Sequence, residues 1–253
     1  CGYNSIEIRI DPPISYHAQT DQYKSFTYPS PNDVGAVKVA SLTRKPQYQF
    51  GWDWAPRLNT IGFAYPIAIG VTPIVFVENL NVNTLSITES NEANISLNLT
   101  IQKAQVKLVC KSTYFSDIDL PEKSPIDSLE PSSKVSSFSL KSDKMLSNAQ
   151  LWWPVGQGAQ HLYSDTLRFY DENGSVVWEH PFKFGIRTSA LIQEKDEWGT
   201  SFVFQINGRQ IFAKGANVIP SGIFAGTALD SAYVALVPQM QAANFNIVRI
   251  WGG

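Results

Sequence analysis

The sequence predicts a mainly β, multidomain chain that turns α/β towards its C-terminal end. Three observations carry this reading. The first 190 residues read mostly as strands, in runs where apolar and polar residues alternate with period two. Asn173-Gly174 and Asn207-Gly208 each stand between apolar runs, a hairpin signal because both residue types tolerate positive φ. The last stretch reads strand, helix, strand, which is one βα unit of a parallel sheet.

In chain order, Ile6, Ile8 and Ile10 alternate with Glu7 and Arg9, and Pro12-Pro13 should end that strand. Ile67, Ile69 and Val71 continue the β pattern. Ile95, Leu97, Leu99 and Ile101 alternate with Asn94, Ser96, Asn98 and Thr100, so a half-buried strand with one wet face is expected. Val106, Leu108 and Cys110 repeat the period. Asp, Ser, Pro, Glu and Lys dominate residues 116–134, which reads as a solvated loop. Strands resume at Val135–Leu140, and Thr166–Tyr170 and Ser175–Trp178 flank the first Asn-Gly turn. Near the end, Leu229, Tyr233, Leu236, Val237 and Met240 fall at helical spacing, with Asp230 as a candidate cap. Pro238 should kink or shorten that helix. Ile247-Val248-Arg249-Ile250 reads as a buried strand.

Composition narrows the function classes. A net charge of −2 without a basic block argues against a nucleic-acid partner. No apolar run approaches the ~20 residues needed to span a bilayer, so no membrane span is expected. His17, His161 and His180 lack metal-ligand spacing, and no phosphate loop or nucleophile elbow occurs, so neither a metal nor a cofactor is expected. Of the two cysteines, Cys1 and Cys110, one possible pair makes no disulfide framework. Aromatic residues reach 12%, which suits both a pleated core and stacking on sugar rings. The chain opens Cys1-Gly2-Tyr3 and stops at Trp251-Gly252-Gly253 straight after an apolar run, so an internal fragment is expected. The sequons at Asn94, Asn98 and Asn173 suggest the secretory pathway, with all three expected to meet solvent.

The most site-like segment is Phe50-Gly51-Trp52-Asp53-Trp54-Ala55-Pro56-Arg57. A sugar site needs a ring for stacking and a carboxylate that accepts from hydroxyls, and Trp52, Asp53 and Trp54 supply both. The plainer reading is an aromatic plug with Asp53 paired to Arg57 or Arg44. The residues alone leave both open. Asn217, after a barrel-like strand, and Trp251 with Arg249, at the same end of the next strand, are further candidates. Leu151-Trp152-Trp153-Pro154 reads as packing or a domain junction. Glu194, Asp196 and Glu197 read as solvated surface, so no pair of catalytic carboxylates is found here.

Several segments, in order, resemble the β-mannosidase branch of glycoside hydrolase family 2. They are Arg44-Lys45-Pro46-Gln47-Tyr48-Gln49-Phe50-Gly51-Trp52-Asp53-Trp54, Leu151-Trp152-Trp153-Pro154, Phe184-Gly185-Ile186-Arg187, Lys214-Gly215-Ala216-Asn217 and Asn246-Ile247-Val248-Arg249-Ile250-Trp251. The resemblance implies the end of a jelly-roll sugar-binding-like domain over residues 1–72. It implies an immunoglobulin-like β-sandwich over 73–187 and the start of a (β/α)8 TIM barrel over 188–253. It further implies that Trp52, Asp53, Trp54, Asn217 and Trp251 contact substrate, an oligosaccharide with terminal β-mannose. The family's catalytic Glu residues match no position here, so catalytic residues are expected outside this chain. Lysosomal or secreted localisation is implied. Val218 departs from the pattern, since relatives often carry Trp there.

Overall fold

Ile95, Leu97, Leu99 and Ile101 are at most 2% exposed and form the spine of the main core. The computed structural model describes residues 5–20, 25, 28–63, 65–67, 74–104, 106–115, 117–120, 135–224 and 230–252. The chain divides into two compact units, Gly70–Lys214 and, together, Cys1–Ile69 with Gly215–Gly253.

Within the Gly70–Lys214 unit, seven of the described strands form a sandwich: β1 (Val75–Ile87), β2 (Ala93–Ala104), β3 (Leu108–Lys111), β4 (Ile118–Leu120), β5 (Val135–Leu146), β6 (Tyr163–Tyr170) and β7 (Val176–Phe184). They make two antiparallel sheets, β1-β2-β5 and β4-β3-β6-β7. Val77, Leu97 and Phe138 of one sheet share a core with Leu108, Leu167, Phe169 and Phe184 of the other. The chain changes sheet between β2 and β3, β4 and β5, and β5 and β6, as in an immunoglobulin-like sandwich.

The outer face of β2 is less wet than its alternation suggests. Asn94, Asn98 and Thr100 are half-buried and Ser96 is buried, because β2 is the central strand of its sheet. Asn98, for example, lies between Asn81 and Lys141. Lys103 occupies a core-facing register position, and its Nζ donates to the Val106 carbonyl at 2.7 Å while lying over the Phe138 ring. Cys110 carries a free, buried thiol, pushed up to about 12 by burial and then by Asp165 and Asp117. Val106 is 40% exposed, so the strand starts later than its pattern suggests. The supposed loop at 116–134 contains β4, too short a strand to signal itself; residues 121–134 lie outside the described residues.

Both Asn-Gly signals form hairpins, in different ways. At 171–174 only Gly174 takes positive φ, and Asp171 Oδ1 accepts from the Asn173 and Ser175 amides at 2.9 and 2.8 Å. Asn207 and Gly208 both take positive φ, 48° and 77°, which gives a two-residue turn of the type that matches strand twist. That turn joins β9 (Val203–Ile206) to β10 (Arg209–Ile211), which with β8 (Ser189–Ile192) form the sheet β10-β9-β8. The Trp pair fastens this sheet to the sandwich. Asn207 Nδ2 donates to the Trp152 carbonyl at 3.0 Å, Arg187 lies over the Trp152 ring and Arg209 over Trp153. Its role is therefore packing and junction.

In the other unit, the expected strand at Ile6–Ile10 does not form. These isoleucines are 64%, 47% and 42% exposed and enter no ladder. Alternation specifies a face, but a strand also needs a partner, and none of the described residues supplies one. Pro13 instead opens a short helix, α1 (Pro13–Ala18), where a missing N–H is no loss. Ile67 is likewise exposed and unpaired, while Ile69 and Val71 lie outside the described residues. The strand–helix–strand reading holds. β11 (Gly215–Val218) pairs in parallel with β12 (Ile247–Ile250), and α2 (Asp230–Ala242) lies between them in sequence. Leu229 and the Asp230 side chain lie outside the described residues.

Two expectations for this βα unit need correction. The helix runs unbroken through Pro238. Pro238 sits on the outward face with Val234, 68% exposed, so water can take up the Val234 carbonyl that loses its partner. β12 is a strand but not a buried one, since Val248 and Ile250 are 36% and 75% exposed.

Candidate functional site

The Trp52-Asp53-Trp54 loop is a tight turn held by main-chain bonds. Gln47–Phe50 make one turn of 3-10 helix, and Phe50 is fully buried as its anchor. Gly51 follows at φ 122°, and a Cβ there would stand 2.7 Å from the Asn32 carbonyl, so only glycine fits. Trp52 N then donates to the Ala55 carbonyl at 2.8 Å, and Ala55 N returns the bond to Trp52 at 3.3 Å. Asp53 and Trp54 occupy the corners between them. Ala55 is 4% exposed and pins the turn. Beyond it, Leu58 N reaches back to the Gln49 carbonyl at 3.0 Å.

The two Trp residues do not project alone. Trp251, directly after β12, meets Trp52 edge-on at a centroid distance of 5.0 Å and Trp54 at 5.6 Å. Tyr48 completes the cluster, 5.0 Å from Trp54 and 5.9 Å from Trp251. Such edge-on and tilted pairs lie within the favourable range for ring quadrupoles. The three Trp side chains are half-buried, so the cluster is packed yet keeps ring surface in solvent. Tyr48 is 5% exposed; burial, with a smaller contribution from Tyr233, pushes its phenol up. It therefore stays a neutral hydroxyl at working pH. The Trp54 Nε1 and Gln49 Oε1 atoms are buried and lack hydrogen-bond partners among the described residues.

Asp53 is exposed and forms no ion pair among the described residues. The nearby cation is engaged elsewhere: Arg57 Nε contacts Asp33 Oδ1 at 3.0 Å, and its Nη2 donates to the Val37 carbonyl at 3.0 Å. Of the plug reading, the aromatic packing is present, while Asp53 pairs with neither Arg57 nor Arg44 among the described residues.

Asn217 lies on β11 and pairs in register with Arg249 on β12. Arg249 Nη1 donates to Asn217 Oδ1 at 3.2 Å, and Trp251 N extends the ladder to the Val218 carbonyl at 3.1 Å. Asn217 is therefore held two residues' pairing away from Trp251, at the C-terminal ends of two parallel strands. It also borders a cavity of about 450 Å³ between β11 and α2, lined mainly by apolar groups such as Leu236, Met240 and Phe245. That hollow has the character of strand–helix packing and is distinct from the Trp cluster.

Elsewhere, Glu194, Asp196 and Glu197 are exposed, and Asp196 Oδ1 only caps its own turn through the Trp198 and Gly199 amides at 2.8 Å. No three His, Cys, Asp or Glu side chains converge as a metal site among the described residues. No described helix is long and apolar enough to cross a membrane. Sequence reasoning missed Tyr48 and Asp33. Tyr48 stands four residues before Trp52, a usable hint. Asp33 carries only a local turn signal, because its charged partner is 24 residues away.

Comparison with known proteins identifies the family. The family model "Glycosyl hydrolase 2 galactose-binding domain-like" matches residues 1–64, and "Glycosyl hydrolases family 2" matches residues 75–187. The β-mannosidase of Capra hircus is 28% identical over 99% of this chain and 29% of its own length. Beta-mannosidase B of Aspergillus clavatus is 31% identical over 83% of this chain and 24% of its own. The crystal structure of the β-D-mannosidase from Dictyoglomus thermophilum superposes with a TM-score of 0.68 at 29% identity, covering 92% of this chain and 28% of that one. The chain spans under a third of the length of each of these relatives. It belongs to glycoside hydrolase family 2, on the β-mannosidase branch.

Proposed function

We propose that this chain is a sugar-binding portion of an exo-β-mannosidase. The observation that carries the reading is the Trp52–Trp54–Trp251–Tyr48 cluster with Asp53 free at the apex of its turn. Half-buried Trp rings offer stacking surfaces to the C–H face of a pyranose. A carboxylate with no internal cation is available to accept hydrogen bonds from two hydroxyls. Asn217, fixed by Arg249, adds an amide at the ends of the parallel strands.

In this reading residues 1–72 are the end of a jelly roll, 73–187 an immunoglobulin-like sandwich and 188–253 the first βαβ portion of a (β/α)8 barrel. The substrate is an oligosaccharide with a terminal non-reducing β-D-mannose, as in N-glycan breakdown. Hydrolysis is retaining and uses two carboxylates supplied by chain beyond these residues, through a covalent mannosyl intermediate that water then releases. No metal or cofactor takes part. The sequons at Asn94, Asn98 and Asn173 support a secretory or lysosomal location.

The test is the substrate preference of the full-length protein among aryl β-mannoside, β-glucuronide and β-galactoside. We expect the mannoside to have the highest kcat/KM. If it is the poorest of the three, the assignment to mannose is wrong. Binding of mannosides without hydrolysis of any substrate would make the protein a carbohydrate-binding module instead.

A further inference from the structure

We propose that Asp33 and Arg57 are positioning residues for the sugar-binding turn, and that their pairing keeps the Asp53 carboxylate free. The proposal rests on the reading of Asp53 as a sugar contact given above.

Arg57 follows Asp53 by four residues and ends the outgoing arm of the turn. A cation at that distance is the natural partner of Asp53, and pairing would mask the carboxylate. The structure prevents this with a second carboxylate, fully buried and four times bonded. Asp33 Oδ1 accepts from Arg57 Nε at 3.0 Å and from Gly35 N at 3.2 Å. Its Oδ2 accepts from Val39 N at 2.8 Å and Ala40 N at 3.2 Å. Those four bonds match the acceptor capacity of an ionised carboxylate. The guanidinium is boxed as well. Its Nη2 is held by the Val37 carbonyl, and a Cβ on Gly35 would stand 2.6 Å from its Nε, so that wall is closed by backbone. The loop that carries Asp33 is itself stapled to the turn, since Val34 N donates to the Phe50 carbonyl at 3.2 Å, one residue before Gly51.

Three backbone amides could be satisfied by a neutral side chain. The carboxylate is required by the guanidinium, because removing the buried carboxylate strands the charge of an Arg57 side chain that is only 22% exposed. Once stranded, Arg57 has Asp53 on its own arm of the chain. Asp33→Asn, nearly isosteric, should therefore do its damage by releasing Arg57 onto Asp53.

The experiment compares D33N, D53A, D33N/R57Q and D53A/R57Q in the full-length protein, with kcat/KM on an aryl β-mannoside and a thermal melt for each. We expect D33N to lose about tenfold in kcat/KM, mostly through KM, since a masked carboxylate weakens binding. Adding R57Q should restore at least about threefold, and roughly 0.5 M NaCl should restore a similar share by screening an exposed pair. D53A should respond to neither. A D33N protein that melts near the wild-type temperature with unchanged kcat/KM, or with a loss that neither R57Q nor salt relieves, overturns the proposal. If D33N does not fold, R57K replaces it: the charge stays, but one ammonium cannot hold both Asp33 and the Val37 carbonyl in the planar fork. Wild-type kinetics for R57K at low salt would then refute the positioning role. Wild-type kinetics for D53A would instead refute the sugar-contact reading on which it rests.

Discussion

Asp53→Ala in the full-length protein should lower kcat/KM by at least about 1.5 kcal/mol, and the structure fixes where the loss arises. The turn that carries Asp53 is closed by reciprocal main-chain bonds between Trp52 and Ala55, and its anchors are Phe50 and Ala55. None of these uses the Asp53 side chain, which is exposed and forms no ion pair among the described residues. A surface change of this kind alters stability by only about 0.5 kcal/mol in either direction. Substrate is then the remaining partner whose loss kinetics can register. A hydrogen bond to a charged group contributes about 1.5–3 kcal/mol, so a single lost sugar contact predicts at least a roughly tenfold fall. Two contacts predict a fall of about a hundredfold or more. Asp53→Asn keeps one acceptor without the charge and should fall between the wild type and Asp53→Ala. Steady-state hydrolysis of an aryl β-mannoside, with thermal melts as the fold control, measures all three proteins. An Asp53→Ala enzyme with wild-type kcat/KM would refute the reasoning and return the turn to a packing role.

Three other outcomes are expected. Trp251 is the only described ring that contacts Trp52, at 5.0 Å, so a Trp52→Ala/Trp251→Ala cycle on kcat/KM should show a coupling of about 0.5–1.5 kcal/mol; strict additivity would deny that the two rings act together. Asp165 is pushed up by burial but held below the usual carboxylate range on balance, by bonds from Ser112 and the Thr113, Thr166 and Tyr114 amides. Its folded value lies below its unfolded value, so its stabilisation is complete above about pH 4 and is lost as the pH falls through the folded value. Asp165→Asn should flatten the acid side of the melting-temperature profile, and an unchanged slope would count against it. Finally, secretory expression should attach a glycan at Asn173, which stands exposed in its hairpin turn; peptide mapping before and after enzymatic deglycosylation reads this, and an unmodified Asn173 in secreted protein would contradict it.

How much of this was legible depended on whether the relevant physics is local. The β2 spine and both hairpins could be read because period two and Asn-Gly encode a face and a turn within a few residues. Ile6, Ile8 and Ile10 carry the same period and form no strand, because alternation says nothing about the neighbour that a ladder requires. Ile118-Asp119-Leu120 is a strand too short to have a period at all. The expected shortening of the helix at Pro238 fails for a different reason. The penalty for proline inside a helix depends on who must replace the lost bond, and on an exposed face that partner is water.

The same distinction governs the site. Gly51-Trp52-Asp53-Trp54 announces itself by composition, whereas the facts that decide what Asp53 can do are non-local. Local reasoning pairs Asp53 with Arg57, four residues on. The fold instead gives Arg57 to Asp33, 24 residues earlier, and brings Trp251 from almost 200 residues away to within 5.0 Å of Trp52. These two long-range choices act in opposite senses on one turn. The ring contacts draw Trp52 and Trp54 into packing and fix their orientation. Buried Asp33, paired with half-buried Arg57, withdraws the only cation of the outgoing arm from Asp53. A turn closed by its own backbone needs neither effect to keep its shape. Both therefore bear on the side chains of Trp52, Asp53 and Trp54, leaving rings held in place and a carboxylate held open, the two features that the proposed sugar-binding role requires.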